Sequence, residues 1–266
     1  MTHKDYLRMP VLFIGHGSPE NAFEINEFSS SWQNITTLFP KPKAILVISA
    51  HWTNITDQQA KNASITTNQA LKTIHDFYGF PRNFYDFNYK ANGSPNLAQK
   101  IISEVHAVTI DSAANWGLDH GAWSVLAQMY PAADIPTLQL SIDETLPRST
   151  LFKIGEELIK FRDEGVLIIG SGNIVHNLAQ VRWNYHPANW AIEFDDYIQK
   201  SLATNNKDNI ISFENHPLQS LALPTVEHFL PLLYVMGASQ DEKPFFFSEK
   251  IFAHSLSMRC VAYGLN

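Results

Sequence analysis

The chain has 266 residues, of which 45% are hydrophobic, with a net charge of −7 and a single cysteine. That is enough apolar material for one large α/β domain over residues 1–266. The 19 Lys and Arg residues form no basic stripe, so a nucleic-acid surface is excluded, and the lone Cys260 rules out an intramolecular disulfide framework or a Cys-rich zinc site.

In chain order, the N-terminus Met-Thr-His-Lys-Asp-Tyr is polar and precedes only a five-residue apolar run. This falls far short of a signal h-region or a roughly 20-residue membrane span, which predicts a soluble, cytoplasmic protein with no membrane partner. Strands are expected at about 10–15, 44–50, 107–110, 136–141 and 166–170, where short β-branched runs are bounded by Gly, Ser and polar residues. Helices are expected at about 20–39, 95–105, 120–130, 149–163, 188–203 and 225–236. Ser94-Pro95 and Pro187-Ala188 read as helix starts, Gly165 and Gly237 as helix stops. Strand, long connection, strand is the pattern of a mostly parallel central sheet flanked by helices. The stretch 245–262 reads as two strands, an antiparallel C-terminal addition with Glu249 and Lys250 between its apolar runs.

Three of the strands end at histidines. His16 follows Val-Leu-Phe-Ile-Gly, His51 follows Ala-Ile-Leu-Val-Ile-Ser-Ala, and His176 follows Val-Leu-Ile-Ile-Gly-Ser-Gly-Asn-Ile-Val. Open α/β sheets bind ligands at the carboxyl ends of their strands, and imidazole is a common ligand for iron and zinc, so this edge suggests a metal site. The glycines around His16 admit a close backbone approach, and Ser18-Pro19 sits where a helix begins. His176 suits either a ligand or an acid/base role. His120, among aromatics in Trp116-Gly117-Leu118-Asp119-His120-Gly121-Ala122-Trp123, suits either orientation of a ring-shaped substrate or core packing. Glu227 and His228 lie in an apparently helical segment. Neighbours on a helix point about 100° apart, so one of the two must face away from any shared ion. Asp195-Asp196 reads as a solvated helix face, and His75 and His186 as surface or capping groups. His3, His106, His216 and His254 receive no role.

Gly-His-Gly-Ser-Pro at 15–19, Ser-Ala-His-Trp at 49–52, Tyr-Gly-Phe-Pro at 78–81, Leu-Asp-His-Gly-Ala-Trp at 118–123, Ser-Gly-Asn-Ile-Val-His-Asn-Leu at 171–178 and Glu-His-Phe-Leu-Pro-Leu at 227–232 occur in this order. Together they resemble the class III extradiol ring-cleavage dioxygenases, and within them the 4,5-DOPA extradiol dioxygenase-like branch. The resemblance implies a single α/β catalytic domain with non-haem Fe(II) in an open site, and a catechol substrate whose ring is opened by O2 next to its hydroxyls. It carries His16, His51 and His228 over as metal ligands and His176 as the acid/base. His120 would contact the bound oxygen or a substrate hydroxyl, and Tyr78, Phe80, Trp116 and Trp123 would wall the pocket. Better-known members of the wider family have a carboxylate as third ligand where this branch has His228. Three neutral imidazoles with an open position also suit Zn(II), so a zinc-dependent hydrolase is the rival reading, and a non-enzymatic metal-binding protein a third.

Overall fold

The computed structural model describes residues 8–54, 62–183 and 186–265; His3 and the polar N-terminal stretch lie outside them. Among the described residues ten strands are formed: β1 (Val11–Gly15), β2 (Ala44–Thr53), β3 (Ala63–Thr66), β4 (Ile110–Ala113), β5 (Thr137–Ile142), β6 (Val166–Gly172), β7 (Phe245–Phe247), β8 (Ile251–Phe252), β9 (Leu256–Ser257) and β10 (Cys260–Tyr263). The helices are α1 (Glu27–Ile35), α2 (Arg82–Asp86), α3 (Pro95–Glu104), α4 (His120–Met129), α5 (Arg148–Asp163), α6 (Asn189–Ala203), α7 (Lys207–Ile211), α8 (Gln219–Ala222) and α9 (Leu230–Ala238). Among the described residues, no helix is long and apolar enough to cross a membrane.

Eight strands build one sheet in the order β4-β3-β5-β2-β6-β1-β10-β7. Its centre, β5-β2-β6-β1, is parallel, as the spacing of apolar runs predicts. The expected C-terminal addition is present, with β10 antiparallel to β1 and β7 antiparallel to β10. Its connection is longer than a turn, because β8 and β9 pair as a small separate hairpin between β7 and β10. A second antiparallel junction, β3 on β5, is unforeseen, since the four-residue run Ala63–Thr66 is too short to stand out as a strand.

Alternation along the buried strands feeds two cores. Val11, Phe13, Leu46, Ile48 and Ile168 pack with α5, α6 and α9 on one face. Leu12, Ile14, Ile45, Val47 and Ile169 pack with α1 and α4 on the other. Each fully buried side chain of this size contributes roughly 1.5–3 kcal/mol relative to exposure, so register is strongly fixed.

Several boundaries differ from the sequence expectations. The helix expected over 20–39 is broken into a short 3-10 turn at Pro19–Ala22, α1 and a second 3-10 turn. The break lies at Asn26, whose side chain accepts from the backbone N–H groups of Phe28 and Ser29 and starts a new helix. Gly165 does end α5, with φ +94°. Gly237 is no stop but lies inside α9, where it lets that helix meet α5: a Cβ there would fall 2.0 Å from the Phe152 carbonyl oxygen. The segment 225–229 is not helical either, and α9 starts only at Leu230. The His228 carbonyl accepts from the Asn173 N–H at 2.8 Å, a bond to the end of β6 that replaces a local helical one.

Candidate metal centre

The carboxyl ends of β1, β2 and β6 meet at one edge of the sheet, and β6 lies between the other two. His16 directly follows β1, with its N–H bonded to the Gly172 carbonyl at 3.1 Å. The chain then turns through Gly17 at φ +66°, where a Cβ would meet the Met258 sulfur at 2.7 Å. Asn21 fastens this turn by donating from Nδ2 to the His16 carbonyl. His51 lies inside β2, not beyond it as the apolar run suggested. The β2–β5 register jumps from Ile48 opposite Leu140 to Thr53 opposite Ile142, a bulge that carries His51 and turns it off the ladder. The His228 loop lies tight on the end of β6, since a Cβ on Gly172 would fall 2.0 Å from the His228 carbonyl oxygen.

These placements converge three imidazoles, with the candidate ligand atoms of His16, His51 and His228 all within 4.8 Å of one another. The Nε2 atoms of His16 and His51 are 3.0 Å apart, a gap that one cation bonded at about 2.0–2.1 Å to each nitrogen can span. His228 Nε2 is buried and has no hydrogen-bond partner.

The opposite nitrogens fix the tautomers of His16 and His228. Ser171 Oγ donates its only proton to the Gly121 carbonyl at 2.6 Å, so at 3.0 Å it must accept from His16 Nδ1–H. His228 Nδ1 donates to Glu227 Oε1 at 3.0 Å, and His51 Nδ1 lies 3.4 Å from Asp76 Oδ2. In His16 and His228 Nδ1 donates to an oxygen and leaves Nε2 with the lone pair, the usual outer arrangement of metal-binding histidines. Burial, reinforced by the neighbouring imidazoles, holds all three far below the ordinary histidine pKa, hence neutral and ready to coordinate. An orphaned buried nitrogen and three neutral donors fit a divalent metal.

Around the triad stand the other two predicted histidines. His176 stacks on His228, with ring centroids 3.5 Å apart and planes 8° apart. Burial, then the nearby His120, lowers it to about 4. His120 opens α4, and Asp76 accepts from both its backbone N–H and its Nδ1, each at 2.9 Å. Burial pushes the Asp76 carboxyl up, but hydrogen bonding and charge from His120 and His51 outweigh it and leave the pKa below the usual value. Asp119 caps α4 by accepting from Ala122 N–H and is further bonded by Ser49 and Gln139. Burial and the charge of Asp76 raise it to about 7.

The five histidines other than His16 that were candidates or neighbours divide clearly. His51, His120, His176 and His228 line a cavity of about 680 Å³, while His75 does not. His75 is half-buried and donates to the Phe87 carbonyl at 2.9 Å among Phe77, Tyr85 and Trp123, so it is a packing group and not a surface one. His186 is exposed as expected. Tyr78 and Phe80 line the cavity, with Phe77, Leu178, Val181 and Trp183. Trp116 and Trp123 do not: Trp116 stacks on Trp52, and Trp123 is fully buried with its indole N–H on the Ile74 carbonyl. Asp195 is not solvated, since it is buried against Ser257 of β9 and Arg259 just before β10.

Sequence reasoning missed Asp76 and Ser171 and treated Glu227 only as a rival ligand. Asp76 is the one acid in the aromatic stretch 75–80, and Ser171 is the penultimate residue of β6, beside the glycines that alone drew notice. Both signals are visible in the sequence but silent about which histidine they serve.

Residues 10–263 match the family described as the catalytic LigB subunit of aromatic ring-opening dioxygenase. The chain is 43% identical over 265 residues to a 4,5-DOPA dioxygenase extradiol of Escherichia coli (strain K12), covering 97% of this chain and 95% of that protein. It is 40% identical over 240 residues to a protein of the same name from Beta vulgaris, covering 87% of each. A crystal structure of an uncharacterized protein from Escherichia coli K12 superposes with a TM-score of 0.82 at 38% identity, over 96% of this chain and all of that one.

Proposed function

Because the chain belongs to the LigB family and is an extradiol ring-cleavage dioxygenase, we propose that it opens a catechol such as L-DOPA with O2, using Fe(II) held by His16, His51 and His228. One observation supports the ligand set: the three imidazoles converge on one point while the Nδ1 atoms of His16 and His228 donate to Ser171 and Glu227. When bound, the ion supplies positive charge that acidifies the catechol hydroxyls and a common point of attachment for both reactants.

The protein's residues do the rest. Phe77 and Phe80 offer flat apolar walls to an aromatic ring, and the cavity gives it room beside the triad. His176, neutral and facing the cavity, takes a hydroxyl proton onto its imidazole and returns it as the ring opens. Asp76 holds His120 by Nδ1, which leaves Nε2 to hydrogen-bond a substrate oxygen. Asp119, Ser49 and Gln139 brace the start of α4 that carries His120.

Anaerobic reconstitution with Fe(II) or with Zn(II), followed by L-DOPA in air, tests the reading. Fe(II) protein should consume O2 in step with the appearance of a yellow ring-opened semialdehyde, and Zn(II) protein should not. No O2 uptake with Fe(II), together with ester or amide cleavage by the Zn(II) form, would make the site that of a zinc hydrolase. His16→Ala and His51→Ala should lose the metal, whereas His176→Ala should keep it and lose turnover. Metal loss in His176→Ala would make His176 a ligand.

A further inference from the structure

Apart from its histidines, the cavity is lined by charged groups of one sign. Among the described residues that line it there is no lysine or arginine, but there are three carboxylates, Glu20, Asp76 and Glu227. Two of these are committed to histidines: Asp76 to His120 and His51, and Glu227 to His228. Glu20 is different. It sits on the short 3-10 turn Pro19–Ala22, four residues beyond His16, half-buried on the cavity wall. Its Oε2 accepts from the neighbouring Ser18 hydroxyl at 3.1 Å, and no described lysine or arginine pairs with it. A carboxylate partly withdrawn from water without a counter-ion attracts a cation that arrives with a ligand.

We infer that Glu20 binds the ammonium group of an amine-bearing catechol, so that the enzyme selects catechols with a cationic side chain over those with an anionic one. The inference rests on the proposed catechol reaction and narrows its substrate class. Glu20 lines the same cavity as His51 and His228, so a catechol whose hydroxyls lie at the triad shares that cavity with the Glu20 carboxylate. A carboxylate in the same place meets acidic walls and no described cation. For L-DOPA, the amine is therefore the recognised group and the carboxylate is dispensable.

The test compares dopamine, 3-(3,4-dihydroxyphenyl)propionate and the uncharged 4-methylcatechol, in the Fe(II) wild type and in Glu20→Gln and Glu20→Lys. In the wild type, kcat/KM should rank dopamine above 4-methylcatechol, with the propionate lowest. Glu20→Gln should lower the dopamine to 4-methylcatechol ratio about tenfold, mainly through KM, and Glu20→Lys should reverse the order of dopamine and the propionate. A wild type that prefers the propionate, or a ratio that Glu20→Gln leaves unchanged, overturns the inference. Calorimetric titration of dopamine and the propionate into the Zn(II) form reads the same preference without turnover. If no catechol is opened yet dopamine binds more tightly in a Glu20-dependent way, the reaction fails and the charge selection stands. Equal binding of the two, with catechol turnover intact, leaves the reaction and removes the selection.

Discussion

Ser171→Ala deletes one oxygen that lies between His16 and the Gly121 carbonyl at the end of β6. Both Ser171 and His16 are fully buried, so water cannot replace the hydroxyl without a cavity to enter. Gly121 keeps its helical acceptor role inside α4, and the loss therefore falls on His16 Nδ1–H. A stranded buried donor costs about 1–3 kcal/mol. Moving the proton to Nε2 exchanges the stranded donor for a stranded Nδ1 acceptor, and Nε2 is the atom that faces His51 and must carry the lone pair for the metal. Binding then has to reverse the tautomer, and loss of such an outer partner typically weakens metal affinity about 10–100-fold. At about 2–4 °C per kcal/mol for a chain of this size class, the metal-free variant should also melt a few degrees lower. Competition against a chelator at fixed pH measures the affinity, and calorimetry of the metal-free protein measures the melting. Affinity within about twofold of wild type, with an unchanged Tm, would refute the assignment of Ser171 as the group that sets the His16 tautomer.

Glu227→Gln retains a carbonyl oxygen able to accept from His228 Nδ1–H, so it should keep iron to within about tenfold, while His228→Gln should lose it. Elemental analysis after dialysis decides, and the opposite outcome would make Glu227 the ligand. Gly237→Ala drives a Cβ to 2.0 Å from the Phe152 carbonyl and 3.0 Å from Gly155 Cα, which forces α5 and α9 apart at a cost of about 1–3 kcal/mol. A melting temperature equal to wild type would show that the two helices are not in such close contact. Cys260 is fully buried, and burial pushes its thiol up to about 12. At pH 8 the folded protein should therefore resist iodoacetamide while the guanidinium-unfolded chain reacts, as read by mass spectrometry; equal rates in the two states would refute its burial.

The parallel strands β1, β2, β5 and β6 were legible because a short β-branched run between turn residues is a local signal that needs no partner to be read. The same locality placed His16 and His176 after strand ends and His120 at a helix start. His228 shows where local reading stops. Val226-Glu227-His228-Phe229 has helical composition, yet it stays out of α9 because Asn173, 55 positions earlier, takes the His228 carbonyl. The helical 100° step was therefore the wrong premise for separating Glu227 from His228, although Glu227 is not grouped with His16 and His51 and instead bonds His228 at Nδ1. Asp195 likewise looked solvated because its partner, Arg259, comes from the link between β9 and β10, 64 positions later.

By itself the sequence determined the central parallel strands, the C-terminal antiparallel addition and the histidines that gather at the sheet edge, since periodicity and turn chemistry act over a few residues. Only the tertiary structure decided that β6 separates β1 from β2 and so sets Ser171 beneath His16, that Asp76 serves both His51 and His120, and that Glu227 holds His228. Strand order and loop docking fix those pairings through contacts between segments far apart in the chain, and no local pattern encodes which oxygen will meet which imidazole.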